Sequence, residues 1–247
     1  MADRVARIAD RHRGVGFDQL ITIEPARSAT AVAAYSILNA DGSRAGQCGN
    51  GARCVAAWLL RDGTAGAEPF VLDGPSGPVV AQRRGDGFAI DMGVPDFSLP
   101  TIGLERAEAN FYRFEHDGLV LDFGAVSMGN PHAVIEVPDV ATAAVEHIGP
   151  LLQRHAGFVD SCNVGFAQVL DAATVALRVY ERGVGETLAC GSGACAAVAV
   201  LARRGRIGSQ VEVRLPGGNL QIDWAGPGHP ITMAGPATFV FEGEFLA

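Results

Sequence analysis

The chain has 247 residues, 48% of them hydrophobic, so it can bury a sizeable core as one large domain or as two of roughly 120 residues. Its formal net charge is −8 and its arginines form no dense basic run, which argues against a nucleic acid partner. The sequence opens without an apolar signal core and has no run of about 18 apolar residues, so we expect a cytoplasmic protein with no membrane partner.

The basic residues exclude one kind of cofactor chemistry, and the cysteines argue against disulfides. All 19 basic residues are arginine, and a chain without lysine cannot form an internal Schiff base with pyridoxal phosphate. Five cysteines are an odd number in a chain too long to need disulfides, so we expect reduced thiols.

The first half of the chain predicts a short helix, then strands around a second helix. The opening segment to about Arg11 has helical spacing and breaks at Gly14. The second helix is expected over 52–61, with Asn50 as N-cap and Gly63 as C-cap. Strands are expected at 20–23, 35–38, 70–72, 78–82 and 88–92.

A stretch with Gly93, Pro95 and Pro100 separates the halves and predicts a linker. Beyond it, a helix is expected over 142–154. A further helix over 194–202 is apolar all round, which is typical of a helix enclosed by a sheet. Strands are expected at 119–123, 133–137, 164–169, 174–180, 211–215, 220–224, 231–233 and 238–242. Each half therefore has several short, mostly antiparallel strands around one buried helix, an α+β or α/β architecture.

One five-residue motif, which we call the Cys-Gly phrase, occurs twice in the chain. Cys48-Gly49-Asn50-Gly51-Ala52 and Cys190-Gly191-Ser192-Gly193-Ala194 lie 142 residues apart, each directly ahead of a predicted helix. Glycines let a ligand approach the backbone, and a helix N-terminus binds a carboxylate and favours thiolate over thiol. Two such thiols flanking one α-carbon would let one remove its proton while the other donates from the opposite side, which inverts the centre.

Other interpretations of the cysteines stay open. Cys54, Cys162 and Cys195 are expected to be small apolar residues of the core. A four-thiolate zinc site is disfavoured because Cys48 with Cys54, and Cys190 with Cys195, have spacings that point their sulfurs to different helix faces, so no metal is predicted. A thiol-based redox or metal-binding protein without turnover remains the alternative from another class.

Two titratable groups elsewhere in the chain could assist the cysteines, but neither indicates a catalytic role by itself. His132 follows Gly129-Asn130-Pro131 in a turn-rich segment, where a lone histidine is more often a solvated surface group. Glu181-Arg182 precedes the second phrase by nine residues and would usually be a surface pair. Spacing alone favours Asn39, Asn130 and Asn163 as turn residues.

Taken together, the longer stretches around these residues resemble the diaminopimelate epimerase family. The resemblance runs from about Asp10 to the C-terminus. It rests on the stretches 39–43, 47–54, 129–132, 163–164 and 181–193.

The resemblance implies an isomerase that interconverts LL- and meso-diaminopimelate without cofactor or metal, in the synthesis of lysine and of peptidoglycan precursors. It implies Cys48 and Cys190 as the two acid–base groups, assisted by His132 and Glu181 respectively. Contacts to the small-molecule substrate are implied for Gln19, Asn39, Gly49, Asn50, Asn130, Asn163, Arg182, Gly191 and Ser192. A same-fold proline or hydroxyproline racemase is the alternative, and Arg182 argues against it because proline has no second carboxylate for a guanidinium to bind.

The implied fold is a pair of pseudo-symmetric domains, each a sheet around a central helix, with the active site in the interdomain cleft. We expect a first domain of 1–95 joined by a returning strand in 237–247, a second domain of 96–236, and a homodimer. Family members usually begin with a strand and a G-N-D-F-like segment that this sequence lacks. The first domain is therefore expected to have an unpaired sheet edge, which favours oligomer contacts.

Overall fold

The computed structural model describes residues 2–46, 48–104, 109–155 and 157–245. The chain divides into two compact units: unit 1, Met1–Ile90 with Ala234–Ala247, and unit 2, Asp91–Met233. The boundaries expected from the sequence, 95/96 and 236/237, lie a few residues further along the chain. Among the described residues, no helix is both long and apolar enough to cross a membrane.

Unit 1 is a mostly antiparallel sheet with one long helix. Its strands follow the order β1-β2-β4-β5-β6, with β3 on β2, and only β2 and β4 pair in parallel. Its elements are α1 (Ala2–Ala9), β1 (Gln19–Glu24), β2 (Ala31–Asn39), β3 (Arg44–Ala45), α2 (Gly49–Asp62), β4 (Phe70–Gly74), β5 (Gly77–Arg84) and β6 (Gly87–Asp91).

Unit 2 has a larger sheet, in the order β14-β13-β11-β10-β9-β8-β7 with β12 on β11. The pairs β9/β10 and β11/β13 are parallel and the other pairs are antiparallel. Its elements are α3 (Leu99–Ile102), β7 (Tyr112–His116), β8 (Leu119–Ser127), β9 (Pro131–Glu136), α4 (Val145–Gln153), β10 (Asn163–Asp171), β11 (Thr174–Glu181), β12 (Gly185–Thr187), α5 (Gly191–Arg203), β13 (Gln210–Leu215) and β14 (Gly218–Trp224). A last strand, β15 (Ile231–Pro236), crosses the unit boundary.

The two units repeat one sequence of elements. In unit 1, β1, β2, β3, α2, β4 and β5 follow in the same order as β10, β11, β12, α5, β13 and β14 in unit 2. The register agrees as well: Ile37 pairs with Ala45, and Val179 pairs with Thr187, at the same distances ahead of the two repeated cysteines. The predicted pair of similar, mostly antiparallel α/β folds is thereby confirmed.

The central helices of the two units differ in how completely they are covered. In α5, Gly191 and every residue from Gly193 to Leu201 is buried, whereas Cys54 and Trp58 are exposed on α2. Counted from the cysteines, Trp58 corresponds to Val200, which packs against β8 so closely that a Cβ on Gly124 would lie 2.4 Å from its Cγ1. In unit 1 the strand order ends at β1, and no described strand occupies the position that β9 and β8 take beside β10. The prediction of a buried helix therefore holds for α5 and only on one side for α2.

The C-terminal segment departs from the sequence-based prediction. Residues 237–245 form no strand, so the expected strand at 238–242 is wrong, and residues 246 and 247 lie outside the described residues. This segment starts after Pro236, which has no N–H to donate. Side chains hold it on α2 instead, because Arg61 lies 3.7 Å above the ring of Phe239 and pairs with Glu242.

Each unit contains one tryptophan. Trp58 in unit 1 is 37% exposed, whereas Trp224 in unit 2 is 3% exposed. The indole Nε1 of Trp224 donates to the carbonyl of His229 over 3.1 Å. The two indoles therefore lie in different environments.

Candidate active site

Cys48 is the N-cap of α2, so the prediction of Asn50, two residues further along, as the N-cap is wrong. Its backbone is extended, at φ −131° and ψ 108°, and its half-buried Sγ accepts a hydrogen bond from the Gly51 N–H over 3.5 Å. The Oδ1 of Asn50 is buried and accepts no hydrogen bond in the described part of the chain. The α2 N-terminus thus presents a sulfur that acts as acceptor beside an unused amide oxygen.

Gln19 and Asn39 lie opposite each other at one end of the β1/β2 pair. The Gln19 Nε2 donates to the Asn39 Oδ1 over 3.3 Å, and the Asn39 Nδ2 donates to the Ser43 Oγ over 3.0 Å. Asn39 therefore ends a strand and heads the turn that leads towards Cys48, nine residues on.

Cys190 is the N-cap of α5 and has almost the same backbone conformation as Cys48, at φ −125° and ψ 108°. Its side chain differs, because the Sγ donates to the Glu181 Oε2 over 3.2 Å and lies 3.6 Å from the Ser192 Oγ. The residue is 5% exposed. Burial, and after it the Glu181 carboxylate, raises the pKa of the Cys190 thiol far above its usual range, so Cys190 is protonated at neutral pH.

Glu181 ends β11 nine residues before Cys190, the position that Asn39 takes before Cys48. Its Oε1 accepts a hydrogen bond of 2.5 Å from the Thr187 hydroxyl on β12. Glu181 was expected to form a surface pair with Arg182, but its Oε2 accepts a hydrogen bond from the Cys190 thiol instead. Thr187 lies inside the stretch that carries the family resemblance, but no pattern in the sequence marked its hydroxyl as a partner of Glu181.

His132 is buried in β9, so the expectation of a solvated loop histidine is wrong. It is 1% exposed because β8 and β10 flank its strand on both sides. Its Nε2 lies 3.1 Å from the Asn130 Oδ1 and 3.5 Å from the Asn163 Nδ2. Burial, helped by the Arg182 charge, lowers the pKa of His132 to about 3, so the imidazole is neutral at physiological pH.

Asn163 joins His132 to the strand end that carries Glu181 and Arg182. It is buried at the start of β10, and its Oδ1 accepts from the backbone N–H of Arg182 over 2.8 Å. The exposed Arg182 side chain is fixed at Nη1, which donates to the Asp160 carbonyl over 2.9 Å. Asn163 is therefore a buried structural link rather than the turn residue that spacing alone favoured.

The structure gathers the predicted site residues into two sets. The set of unit 1 comprises Gln19, Asn39, Cys48, Gly49 and Asn50. The set of unit 2 comprises Asn130, His132, Asn163, Glu181, Arg182, Cys190, Gly191 and Ser192. Within these sets, Cys48, Gly49 and Asn50 form the N-terminus of α2, and Cys190, Gly191 and Ser192 form the N-terminus of α5.

The other three cysteines are not members of either set. All five cysteines lie within the described residues, and none of them forms a disulfide there. Cys162 and Cys195 are core residues as expected, and burial raises the pKa of Cys162 to about 12. Cys54 is instead exposed on α2, because that face of the helix is uncovered.

The family model described as diaminopimelate epimerase matches residues 2–98 and 124–240 of this chain. Among the similar curated proteins, the diaminopimelate epimerase of Xanthomonas euvesicatoria pv. vesicatoria (strain 85-10) is 58% identical over 244 residues, which cover 97% of this chain and 86% of that protein. The diaminopimelate epimerase of Xylella fastidiosa (strain M12) is 56% identical over 243 residues, covering 97% of this chain and 85% of that protein.

Solved structures with the same fold are more distant in sequence. A probable proline racemase from Agrobacterium radiobacter K84 has a TM-score of 0.71 at 19% identity, covering 99% of this chain and 81% of that one. A hydroxyproline epimerase from Agrobacterium vitis has a TM-score of 0.66 at 19% identity, covering 95% and 77%. These likenesses show the fold alone. The family model and the curated relatives go further, and by them this chain belongs to the diaminopimelate epimerase family, a family of isomerases.

Proposed function

We propose that this chain interconverts LL- and meso-diaminopimelate by a two-base mechanism in which Cys48 and Cys190 are the acid–base groups. One observation supports the mechanism most directly. Two N-cap cysteines with nearly the same backbone conformation have different sulfur partners, since Cys48 accepts a hydrogen bond from the Gly51 N–H and Cys190 donates one to the Glu181 carboxylate.

The opposite hydrogen bonds correspond to the two protonation states that the reaction needs. The Gly51 N–H and the positive end of α2 favour a thiolate at Cys48. The raised pKa of Cys190 favours a thiol there. The resting enzyme then holds one base and one acid, as a single inversion requires.

The proton transfers balance without a further reactant. The Cys48 thiolate takes the α-proton and becomes a thiol, and the bond's electron pair stays on the α-carbon. The Cys190 thiol then gives its proton to the opposite face of that carbon and becomes a thiolate. The product leaves the two cysteines with exchanged states, so the reverse reaction starts from Cys190.

Binding groups for an amino acid are present in both sets of residues. The Asn50 and Ser192 N–H groups, which directly follow Gly49 and Gly191 at the helix N-termini, suit the α-carboxylate and the charge that develops beside it. The buried Oδ1 of Asn50 is an acceptor that suits an α-ammonium group. Arg182 suits the distal carboxylate, because a guanidinium binds a carboxylate through two hydrogen bonds.

The assisting roles of the other residues follow from their environments and from the resemblance. Glu181 would take the Cys190 proton when that cysteine must act as base, over the 3.2 Å that now separates the atoms. His132 is proposed to assist Cys48 on the resemblance alone. Gln19, Asn39, Asn130 and Asn163 are proposed as polar contacts to the substrate or as residues that hold those contacts.

The proposed setting is a cytoplasmic, homodimeric enzyme in the synthesis of lysine and peptidoglycan precursors. Five cysteines outside any disulfide favour a reducing compartment. The homodimer rests on the family resemblance, and light scattering on the purified chain will test it: a mass of about one 25.6 kDa chain would refute it.

Solvent exchange tests the function directly. The purified chain is incubated in D2O with LL-, meso- and DD-diaminopimelate, and the α-proton signal is followed by NMR. We expect exchange at the reacting centre of the LL and meso forms. Absence of exchange with every stereoisomer would refute the catalytic proposal, and equal exchange with proline would favour the racemase alternative.

A further inference from the structure

The Thr187 hydroxyl is the one close partner of Glu181 that the proposed mechanism leaves without a role. It lies on β12, which pairs with β11 so that Glu181 is opposite Gly185 and Val179 is opposite Thr187. This short hairpin returns the chain over the strand end that carries Glu181. Of the two carboxylate oxygens, Oε1 accepts from Thr187 over 2.5 Å and Oε2 accepts from Cys190 over 3.2 Å.

We propose that Thr187 is a positioning residue that fixes the Glu181 carboxylate so that only Oε2 faces the Cys190 sulfur. A glutamate side chain has three rotatable bonds, and a hydrogen bond to one oxygen from a β-branched residue removes much of that freedom. A hydroxyl that donates to a carboxylate makes a short, charge-assisted bond, which agrees with the observed length. The inference rests on the role proposed above for Glu181 and Cys190.

The repeat within the chain supports a specific role rather than a general one. Ala45 takes the place of Thr187 in unit 1, three residues before its cysteine, and Asn39 takes the place of Glu181. The hydroxyl and the carboxylate therefore occur together in unit 2 and are both replaced in unit 1. If Thr187 served only to form the β-hairpin, there would be no reason for the threonine and the carboxylate to be present together in one unit and replaced together in the other.

The fixed carboxylate has a chemical consequence for Cys190. Burial, and in addition the negative charge of Glu181, keeps the cysteine protonated, and the Glu181 Oε2 accepts the hydrogen bond of that proton. Without the Thr187 hydroxyl, Glu181 can turn away from the sulfur. The repulsion of a thiolate then falls, and the proton loses its acceptor.

Thr187→Val tests the hydroxyl, because valine keeps the shape and the β-branch and removes only the hydrogen bond. We expect the rate of α-proton exchange in D2O to fall about 10- to 100-fold with KM nearly unchanged, since Thr187 contacts Glu181 and not substrate. Alkylation of Cys190 by iodoacetamide is followed by peptide mass spectrometry across pH. In the Thr187→Val variant, its rate should begin to rise at a lower pH than in the parent chain. Thr187→Ser should restore both properties.

The matched control is Thr174→Val, the same substitution on the strand that carries Glu181, at its opposite end. It should change neither the exchange rate nor the Cys190 alkylation profile. The inference is overturned if Thr187→Val behaves like the parent chain in both measurements, or if Thr187→Ser is as impaired as Thr187→Val. If the parent chain exchanges no proton at all, the proposed function fails, while the alkylation profile still decides the role of Thr187.

Discussion

The helix N-termini that carry Cys48 and Cys190 share a backbone conformation and differ in chemistry. Both cysteines cap a central helix from an extended conformation after a strand hairpin. Yet Cys48 is half-buried and accepts a backbone hydrogen bond, while Cys190 is buried and donates to a carboxylate. The difference teaches that the repeated phrase fixes the position of the sulfur, whereas burial and the residue nine positions ahead of it, Glu181 in the case of Cys190, determine the sulfur's surroundings.

The same comparison extends to the helices behind the cysteines. Strands β8 and β9 cover the face of α5 that carries Val200, and the matching face of α2 exposes Trp58 and Cys54. We therefore call unit 2, whose central helix is covered on this face, the closed repeat, and unit 1, whose central helix is exposed there, the open repeat. The predictions below disturb either the chemical or the packing side of this difference.

The largest effect is expected from deleting either sulfur. Cys48→Ala and Cys190→Ala should each lower the epimerisation rate at least about 1,000-fold, because a general acid or base contributes roughly 10² to 10⁴ in rate. Chiral chromatography of the product measures the loss. Cys54→Ala is the control and should retain the parent rate; equal damage from it would contradict the assignment of the two cysteines.

Removing the carboxylate should have the next largest effect. Glu181→Gln keeps the shape and abolishes the charge, and we expect a loss of about 100-fold in rate. It should also lower the pKa of the Cys190 thiol, because the carboxylate charge is one cause that raises it. A pH series of Cys190 alkylation will show the shift, and Glu212→Gln, which removes a surface partner of Arg214, should leave it unchanged.

The buried His132 predicts how stability depends on pH. Its pKa is about 3 in the folded chain and about 6.5 when unfolded, so between these values the unfolded chain binds more protons. The contribution of His132 to the free energy of unfolding is therefore fully present above about pH 6.5. It is lost as the pH falls towards 3, by at most about 1.4 kcal/mol per pH unit. Urea unfolding from pH 4 to 8 measures the slope.

His132→Asn is the matching variant for that slope. Asparagine does not titrate, so the free energy of unfolding should depend less steeply on pH below about 6.5 than in the parent chain. His116→Asn, which changes an exposed histidine of β7, should leave the slope as it is. An unchanged slope in His132→Asn would show that His132 does not stay neutral in the folded state.

The smallest effects concern the two helices. Val200→Ala should lower the free energy of unfolding by about 1–3 kcal/mol, because it removes buried methyl groups packed against β8. Cys54→Ala, on the exposed face of α2, should change it by less than about 0.5 kcal/mol. Chemical denaturation measures both, and equal losses would mean that the α2 face is covered in solution.

Much of the fold was predictable because local signals agreed with the final packing. The all-apolar run at 194–202 indicated the enclosed helix, and Gly63 marked the end of α2 with its left-handed conformation, at φ 81°. Strands with alternating burial, such as β4 and β13, also follow their sequence pattern. Strand β7 was missed because Arg113, Glu115 and His116 are three of its five residues, so the segment resembles a surface loop.

The site was predictable in its sulfurs and not in their surroundings. The two Cys-Gly phrases identified both helix N-termini, but polarity suggested that His132 and Asn163 would be solvated. Both are buried because β9 and β10 pair in parallel, a contact between strands more than 30 residues apart that no local pattern encodes. The Thr187 contact depends likewise on the pairing of β11 with β12.

The single tryptophan in each unit makes the two halves separately visible. Indole fluorescence shifts to longer wavelength when a buried ring meets water, so Trp224 would report on unit 2 in a Trp58→Phe variant, and Trp58 on unit 1 in a Trp224→Phe variant. Comparing the two denaturation curves would show whether the open repeat and the closed repeat lose structure together or in sequence, without any added label.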